Sequence, residues 1–368
     1  MKFFKSAAAA AAVLLLLTAC GTAPARTDVP LEAVSIALSD SEILVDGKVA
    51  AVEAKDGVHV ANDIVYYEAG HDFTYGEGTE ADAHTPEEAA EHTVVHISEP
   101  GAYAISGSLS KGQIAVDLGE DAADDPEAVV TLILDNANIT CEVAPAIIFY
   151  NVYECGDTEN PSKDVDTSAA GANVILADGS ENTVRGSYVA RIYKPDSVVL
   201  SEDGSEVEDA KKLHKYDAAF YSRMSMNVDG DTGVLTIEAE NEGLDSELHL
   251  TLNGGRININ SGNDGINTNE DGVSVTTVNG GELTIRVTGE TGEGDGIDSN
   301  GCTVIAEACA DSADAGIDSD MGIHIYGGNV IASGHMLDRI EDGGQNYAVF
   351  TFTKQQNGSE AIRLKSEN

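Results

Sequence analysis

A short pattern recurs through the second half of this 368-residue chain. Its shared part is Gly, an aliphatic residue, Asp or Asn, and then Ser or Thr. The copies are Asn241–Ser246, Asn263–Thr268, Asp295–Ser299 and Ala315–Ser319, with a degenerate copy at Ala218–Ser222. Counted from glycine to glycine, the steps between the four copies are 22, 31 and 20 residues. Repetition at this period is typical of a solenoid, in which each repeat completes the core of its neighbours.

Short runs of alternating apolar and polar residues lie between the copies, and pairs of glycines separate them. Such runs, without helical periodicity, predict short strands joined by tight corners. The sequence therefore predicts an all-β fold, a single-stranded parallel β-helix. The alternative is a propeller, whose blades need about 40 residues each. The runs that carry this prediction are Leu248–Leu252, Ile257–Ile259, Leu283–Val287 and Ile323–Ile325.

The repeat also predicts a metal site. The aliphatic residue of each copy should point into the core, so the residue after it should point outward, and adjacent copies should lie about 4.8 Å apart. The outward residues would then form an external column whose carboxylates repel. A hard cation with oxygen ligands, such as Ca²⁺, would relieve that repulsion. The predicted Ca²⁺ ligands are Asp245, Asp264, Asn267, Asp295, Asp298, Asp318 and Asp320.

A simpler interpretation of the same residues stays open. Asp, Asn, Gly and Ser are ordinary turn formers, and Asn or Asp can hydrogen-bond along a solenoid without a metal. The spacing matches neither an EF-hand nor the nonapeptide of calcium-binding β-helix repeats.

The amino terminus has the features of an export signal. Lys2 and Lys5 precede an apolar run, Ala7–Leu17, that is short for a membrane span. The run ends in Leu17–Gly21, which resembles the bacterial lipobox and implies cleavage before Cys20 and a lipid on its sulfur. The alternative is a plain secretory signal in which the cysteine is incidental.

These features predict the outline of the mature protein. Residues 1–20 would be a lipoprotein signal peptide and residues 21–30 a short tether. The lipid on Cys20 would anchor the protein to the bacterial cell membrane, outside the cytoplasm and at the cell surface.

Composition excludes two classes of partner. The chain has 64 Asp and Glu against 20 Lys and Arg, a formal net charge of −44. A chain this acidic without a basic patch is not expected to bind nucleic acid, nor to lie electrostatically on anionic lipid. The acidity favours solubility and uptake of divalent cations.

Four cysteines remain besides Cys20. They lack CxxC spacing and matching histidines, which argues against a zinc site. Disulfides and buried free thiols both stay open. These residues are Cys141, Cys155, Cys302 and Cys309.

The chain upstream of the repeats continues the β-rich pattern, so we predict one β-helix domain over residues 31–335. Pro86–Glu91 is the one segment that looks helical. Two acidic inserts, Gly156–Gly171 and Pro195–Asp209, are expected to be surface loops. Residues 336–368 lack the repeat, and their structure is not predicted.

Several segments, in this order, resemble a known family of bacterial carbohydrate-binding β-helix proteins of the cellulose- and pectin-binding type. The segments are Gly101–Gly107, Gly112–Val116, Leu132–Ile139, Val174–Thr183 and the Gly-Ile-Asp-Ser copies. The resemblance implies a right-handed parallel β-helix with Ca²⁺ bound at acidic loops. It also implies adhesion to plant-type polysaccharide without catalysis.

The residues themselves leave the function more open. The chain has no Trp to stack on sugars, and its 12 tyrosines identify no sugar contact. An anionic polymer such as polygalacturonate would be repelled unless Ca²⁺ bridged the carboxylates. The alternatives are a calcium-dependent pectate-lyase-like enzyme with Arg256 or Arg286 as its base, and a structural or adhesive surface protein without a glycan ligand. We predict the non-catalytic binding protein.

Overall fold

The structure is a computed structural model. It describes residues 33–341 except positions 53, 55, 56, 293, 306, 307, 312, 313, 337 and 339, and only the backbone at 308–311. The predicted signal peptide, the lipidation site Cys20, the tether at 21–30 and the chain beyond residue 341 lie outside the described residues.

The described residues are almost entirely β-structure, which confirms the predicted fold class at that level. Their single α-helix, α1, is Pro86–Ala90, at the position where the sequence predicts a helix. Thr85 caps it, because its hydroxyl accepts a hydrogen bond from the Glu88 amide at 3.2 Å and its own amide donates to the Glu88 carboxylate at 2.8 Å. Within the described part of the chain, no helix is long and apolar enough to span a bilayer.

The strands are short and run through the whole described region. In the amino-terminal half they are β1 (Val34–Leu38), β2 (Leu44–Val45), β3 (Lys48–Val49), β4 (Ala51–Val52), β5 (Val58–Ala61), β6 (Thr93–Ile97), β7 (Gly101–Leu109), β8 (Gly112–Asp117), β9 (Val130–Cys141), β10 (Ile147–Asn151), β11 (Ala172–Leu176), β12 (Glu181–Gly186) and β13 (Val189–Tyr193). In the carboxyl-terminal half they are β14 (Val199–Leu200), β15 (Val207–Asp209), β16 (Lys212–Tyr216), β17 (Ala218–Ser222), β18 (Met226–Gly230), β19 (Val234–Ala239), β20 (Glu242–Ser246), β21 (His249–Leu252), β22 (Arg256–Ser261), β23 (Ile266–Thr268), β24 (Val275–Val278), β25 (Glu282–Val287), β26 (Cys302–Ile305), β27 (Ala308–Asp311), β28 (Gly322–Ile325) and β29 (Val330–Ser333).

Most of these strands pair in parallel with the strand one repeat away, and the pairs form three ladders. The first ladder is β1, β7, β9, β11, β18, β21, β24, β26 and β28. The second ladder is β9, β12, β19, β22, β25, β27 and β29. The third ladder is β6, β8, β10, β17, β20 and β23. The long strand β9 joins the first two ladders into one sheet of 17 strands.

The repeated pattern lies on the third ladder in register. Phe220 pairs with Leu244, Leu244 with Ile266, and Ile266 bridges to Ile297. The Asp318 amide donates to the Ile297 carbonyl at 2.7 Å, so the series continues into the last copy. The degenerate copy at 218–222 is therefore a true member of the repeat.

Glycine is required in the pattern because the chain is crowded there. A Cβ atom on Gly243 would lie 2.3 Å from Cγ2 of Ile259 and 2.4 Å from the carbonyl oxygen of Gly265. The same crowding recurs one repeat later, where a Cβ atom on Gly265 would lie 2.2 Å from Cγ2 of Ile285. The strands of the second ladder thus pack closely against the start of β20 and against the residue just before β23.

One hydrophobic core extends from Ile36 to Ile323. The aliphatic residues of the repeat, such as Leu244, Ile266 and Ile297, are fully buried in it, and each stabilises the fold by about 1.5–3 kcal/mol relative to exposure. Strands β17 and β20 contact β19, so the core lies between the second and third ladders.

An insert covers part of the third ladder's other face. Strands β13 and β16 form an antiparallel pair, and the ring of Tyr216 packs against Tyr221 and Tyr150 at centroid distances of 5.3 and 5.5 Å. We call residues 189–216 the covering hairpin. The segment Pro195–Asp209, expected to be a loop, holds a 3₁₀ turn at Pro195–Ser197 and the small β14–β15 pair.

Candidate metal centre

Three acidic side chains meet on the third ladder beneath the covering hairpin. Asp217, just before β17, and Glu242 and Asp245 of β20 each place a carboxylate oxygen within 4.8 Å of the other two. We call these three residues the first acid cluster. Parallel pairing of β17 with β20 brings them together, because Ala218 pairs with Glu242 and Tyr221 with Asp245.

The prediction that the outward residues of the repeat form an external column is wrong at Asp245 and Asn267, which are buried, whereas Asp298 and Asp318 are half-buried. Asp245 alternates with the buried Leu244, as expected, yet its own exposed fraction is 0%. The reason is the covering hairpin: Lys215 Nζ lies 2.6 Å from Asp217 Oδ2, and Lys212 Nζ lies 3.0 Å from Glu247 Oε1. An insert that precedes the repeat thus closes over the outer face of β17 and β20.

Three buried oxygens at this place have no hydrogen-bond partner among the described residues. They are Glu242 Oε2, Asp245 Oδ2 and Asn267 Oδ1. Their side chains are otherwise held in place, since Asn269 Nδ2 donates to Asp245 Oδ1 at 2.9 Å and Asn267 Nδ2 donates to Glu242 Oε1 at 3.3 Å. Each unsatisfied buried polar atom costs about 1–3 kcal/mol. These orphaned oxygens fit a hard cation that takes oxygen ligands.

Electrostatics at the first acid cluster disfavour three charged carboxylates in the absence of a cation. Burial raises the pKa of Glu242 well above its usual range, and the charges of Asp217 and Asp245 add to that rise. Burial and the charge of Glu247 raise the pKa of Asp245 well above normal. Burial also raises the pKa of Asp217, although the charge of Lys215 acts to lower it. Burial acts to lower the pKa of Lys215, but the charge of Asp217 raises it above its usual value. When all three carboxylates are ionised, they and the ammonium group of Lys215 carry a net charge of −2.

A second acid cluster lies further along the chain. Asp295, Asp298 and Asp318 each offer a carboxylate oxygen within 4.8 Å of the other two. Asp295 is buried, whereas Asp298 and Asp318 are half-buried. Burial and then Asp318 raise the pKa of Asp298 to about 7, and burial also raises the pKa of Asp318. Backbone amides support the cluster, since Ala315 donates to Asp295 Oδ1 at 2.6 Å.

Three predicted ligands are not members of either cluster. Asp264 is buried, and its two oxygens accept hydrogen bonds from the Asp295 amide at 2.7 Å and from Asn263 Nδ2 at 3.2 Å. Asp320 acts on the second acid cluster by its charge, which contributes to the raised pKa of Asp298. Asn267 borders the first acid cluster through its contact with Glu242.

Sequence reasoning missed Asp217 and Glu242. Glu242 could have been found, because it precedes the glycine of its copy just as Asp264 and Asp295 do. Asp217 precedes the degenerate copy, where only the observed register shows that the repeat continues.

The two arginines considered as a catalytic base lie away from the acid clusters. Both are exposed as expected, but Arg256 is in β22 and Arg286 in β25, on the second ladder. Arg256 Nε is 2.8 Å from Glu282 Oε2, so it forms an ion pair with a neighbouring acid. The first acid cluster is on the third ladder, in a different sheet.

Comparisons with known proteins identify similar sequences. A family model described as carbohydrate-binding domain-containing protein matches residues 91–333. A protein of that description from Acetivibrio thermocellus is 31% identical over 167 residues, which is 45% of this chain and 44% of the relative, so the match spans less than half of the relative's length.

One solved structure is also similar to this chain. It is titled as the polysaccharide lyase-like protein from C. thermocellum, gadolinium derivative, and has a TM-score of 0.44 at 21% identity. The match covers 85% of this chain and 98% of that one.

Proposed function

The chain belongs to the family of carbohydrate-binding domain-containing proteins, and we propose that it is a non-catalytic, calcium-binding protein that adheres to plant-type polysaccharide at the bacterial cell surface. The polysaccharide would be of the cellulose or pectin (polygalacturonate) type. The observation that carries the calcium part is the first acid cluster, with its buried oxygens that lack partners.

The donor set favours Ca²⁺ over other cations. Asp217, Glu242, Asp245 and the amide oxygen of Asn267 are hard oxygen ligands, and Ca²⁺ accepts six to eight of these in irregular geometry. One divalent cation would balance the net −2 of the three carboxylates and Lys215. The second acid cluster offers carboxylates alone and is the candidate for a second ion.

We further propose that the three ladders are the faces of a right-handed parallel β-helix. The parallel register of strands one repeat apart supports this interpretation, and so does the position of the repeated aliphatic residues in one core. On this proposal the covering hairpin is an insert between coils.

The proposed location rests on the amino-terminal sequence. The apolar run and the lipobox-like Leu17–Gly21 support export and a lipid on Cys20. The protein would then be held outside the membrane by its lipid.

The burial of the first acid cluster does not favour calcium-dependent catalysis at that site. A polymer has no access to carboxylates that lie beneath the covering hairpin, so a cation there would stabilise the fold. The candidate base Arg256 is ion-paired on another ladder, which does not favour the lyase alternative.

The test is retention of the mature protein on insoluble cellulose and on polygalacturonate, with Ca²⁺ and with chelator. Unsaturated uronate is assayed in the same tubes. We expect calcium-dependent retention without product. Release of unsaturated uronate would establish the lyase alternative. If the protein is retained on neither glycan, the alternative of a structural surface protein without a glycan ligand would be favoured.

A further inference from the structure

A groove of about 700 Å³ follows the second ladder, and none of the acid-cluster residues lines it. It crosses the carboxyl ends of β9, β12, β19 and β22 and is closed by the segment after β25. Five strands at about 4.8 Å per step give it a length of about 19 Å. Its volume is within the range of about 300–1,000 Å³ seen for small-molecule sites.

Small residues form the floor of the groove, and polar side chains form its walls. Gly186 and Ala239 are neighbours in register on β12 and β19, and Ser261 ends β22. The walls present carboxylate, guanidinium, amide and hydroxyl groups, all of which hydrogen-bond with sugar hydroxyls. The wall residues used below are Glu142, Arg185, Glu238, Glu240, Glu290 and Thr291.

Hydrogen bonds within the protein hold these walls in place. Ser187 Oγ donates to Glu240 Oε2 at 2.7 Å, and Arg185 Nε donates to Glu238 Oε2 at 2.8 Å. Thr291 reaches back over β22, since its hydroxyl donates to Asn241 Oδ1 at 3.0 Å. Groups that are fixed before binding lose less entropy when a ligand arrives.

The charge of the groove discriminates between polysaccharides. Four glutamates line the groove, namely Glu142, Glu238, Glu240 and Glu290, and the one cation among its described lining residues, Arg185, is already paired with Glu238. Lys111 Nζ, outside the lining, lies 3.5 Å from Glu142 Oε2 and offsets part of this negative charge. A polyuronate would meet unfavourable repulsion here, whereas the hydroxyl groups of a neutral sugar can donate to the carboxylates. The described residues that line the groove include no aromatic side chain, so recognition would use sugar edges rather than stacking.

We propose that this groove is the glycan-binding cleft and that it takes a neutral, hydroxyl-rich polysaccharide chain lying along the second ladder. Neighbouring strands lie about 4.8 Å apart, which is close to the length of one hexose in an extended β-1,4-linked chain, so such a chain along the ladder would place about one sugar on each strand. The inference rests on the proposed carbohydrate-binding function and adds the place and the glycan class.

The test compares Glu238→Gln/Glu240→Gln with Glu181→Gln. The double variant removes two acceptor charges in the groove. The control removes one exposed charge from the opposite end of β12, outside the groove. Binding of cello-oligosaccharides is measured by calorimetry, and mobility is compared in gels that contain hydroxyethylcellulose or polygalacturonate.

We expect the double variant to bind the neutral glycan about tenfold more weakly, with Glu181→Gln unchanged, and to be retarded more by polygalacturonate because repulsion is lower. The effect of chelator on each variant's melting temperature shows separately whether the acid clusters are intact. Unchanged neutral-glycan affinity in the double variant, or a preference of the unmodified protein for polygalacturonate, would overturn the groove assignment. If the unmodified protein binds no glycan, the proposed function itself fails.

Discussion

The ammonium group of Lys215 lies 2.6 Å from Oδ2 of Asp217 and links the covering hairpin to the first acid cluster. It brings one positive charge to three buried carboxylates, two of which keep an oxygen without a partner among the described residues. Lysine therefore neutralises the cluster only in part, and the predictions for metal binding follow from this imbalance.

Chelation should destabilise the protein. A ligand that binds the native state alone stabilises it by about 2.7 kcal/mol at a free concentration one hundred times its dissociation constant. We expect the melting temperature in Ca²⁺ to fall when chelator is added, as measured by calorimetry. A flat Ca²⁺ titration of the unmodified protein would contradict both metal sites.

Asp245→Asn separates the metal interpretation from the turn-former interpretation. The substitution nearly preserves shape and removes one buried charge. If Asp245 binds Ca²⁺, the variant should remain folded and lose calcium affinity. If Asn and Asp only form hydrogen bonds here, it should be more stable than the parent, and chelator should change neither protein. Asp196→Asn, at an exposed position of the covering hairpin, is the matched control and should behave as the parent.

Lys215→Met should raise calcium affinity several-fold, because it removes the positive charge that competes with the ion. The Lys215 side chain is 41% exposed but that of Asp217 is only 11% exposed, so loss of the ion pair leaves a buried carboxyl group without its cation and should lower the stability of the metal-free protein. Lys212→Met, which removes the ion pair with Glu247, is the control for loss of a lysine from the hairpin. Equal calcium affinities in the two variants would show that the charge of Lys215 does not weaken calcium binding.

The second acid cluster should make the metal-free protein less stable as pH rises from about 4 to 7. The folded pKa of Asp298 is raised to about 7, above its unfolded value, so in this range the native state binds more protons than the unfolded state. Stability is therefore present at low pH and is lost as pH rises through the folded pKa. Melting temperatures measured in chelator should show this slope, and Asp298→Asn should flatten it. Equal pH dependence of the melting temperature in the parent and in Asp298→Asn would be evidence against the raised pKa.

Cys20→Ala tests the predicted anchor. The variant should not incorporate labelled fatty acid and should accumulate as a precursor or leave the membrane, because the thioether cannot form. Labelling equal to that of the parent would show that the lipid is attached elsewhere or that the segment is not a lipobox.

The local features of the repeat could be read from the sequence because they depend on spacing alone. Side chains alternate along a strand, so Leu244 and Asp245 must lie on opposite faces, and the repeat length sets which residues pair. The register of Leu244 with Ile266 and the burial of both follow from this.

Only the tertiary structure shows which segment covers the outer face of the third ladder. The reason is that this covering depends on contacts between the repeat and residues outside it. The insert returns over β17 and β20, packs Tyr216 on Tyr221 and brings Lys215 to Asp217, which turns an expected surface column into a buried cluster. The groove has the same origin, because it forms from the ends of strands as far apart as β9 and β25, and no sequence pattern predicts that these ends meet. Spacing along the chain thus determined the third ladder and its core. The burial of the first acid cluster, its contact with Lys215 and the shape of the groove were decided by packing between segments that are distant in the sequence, which no local pattern encodes.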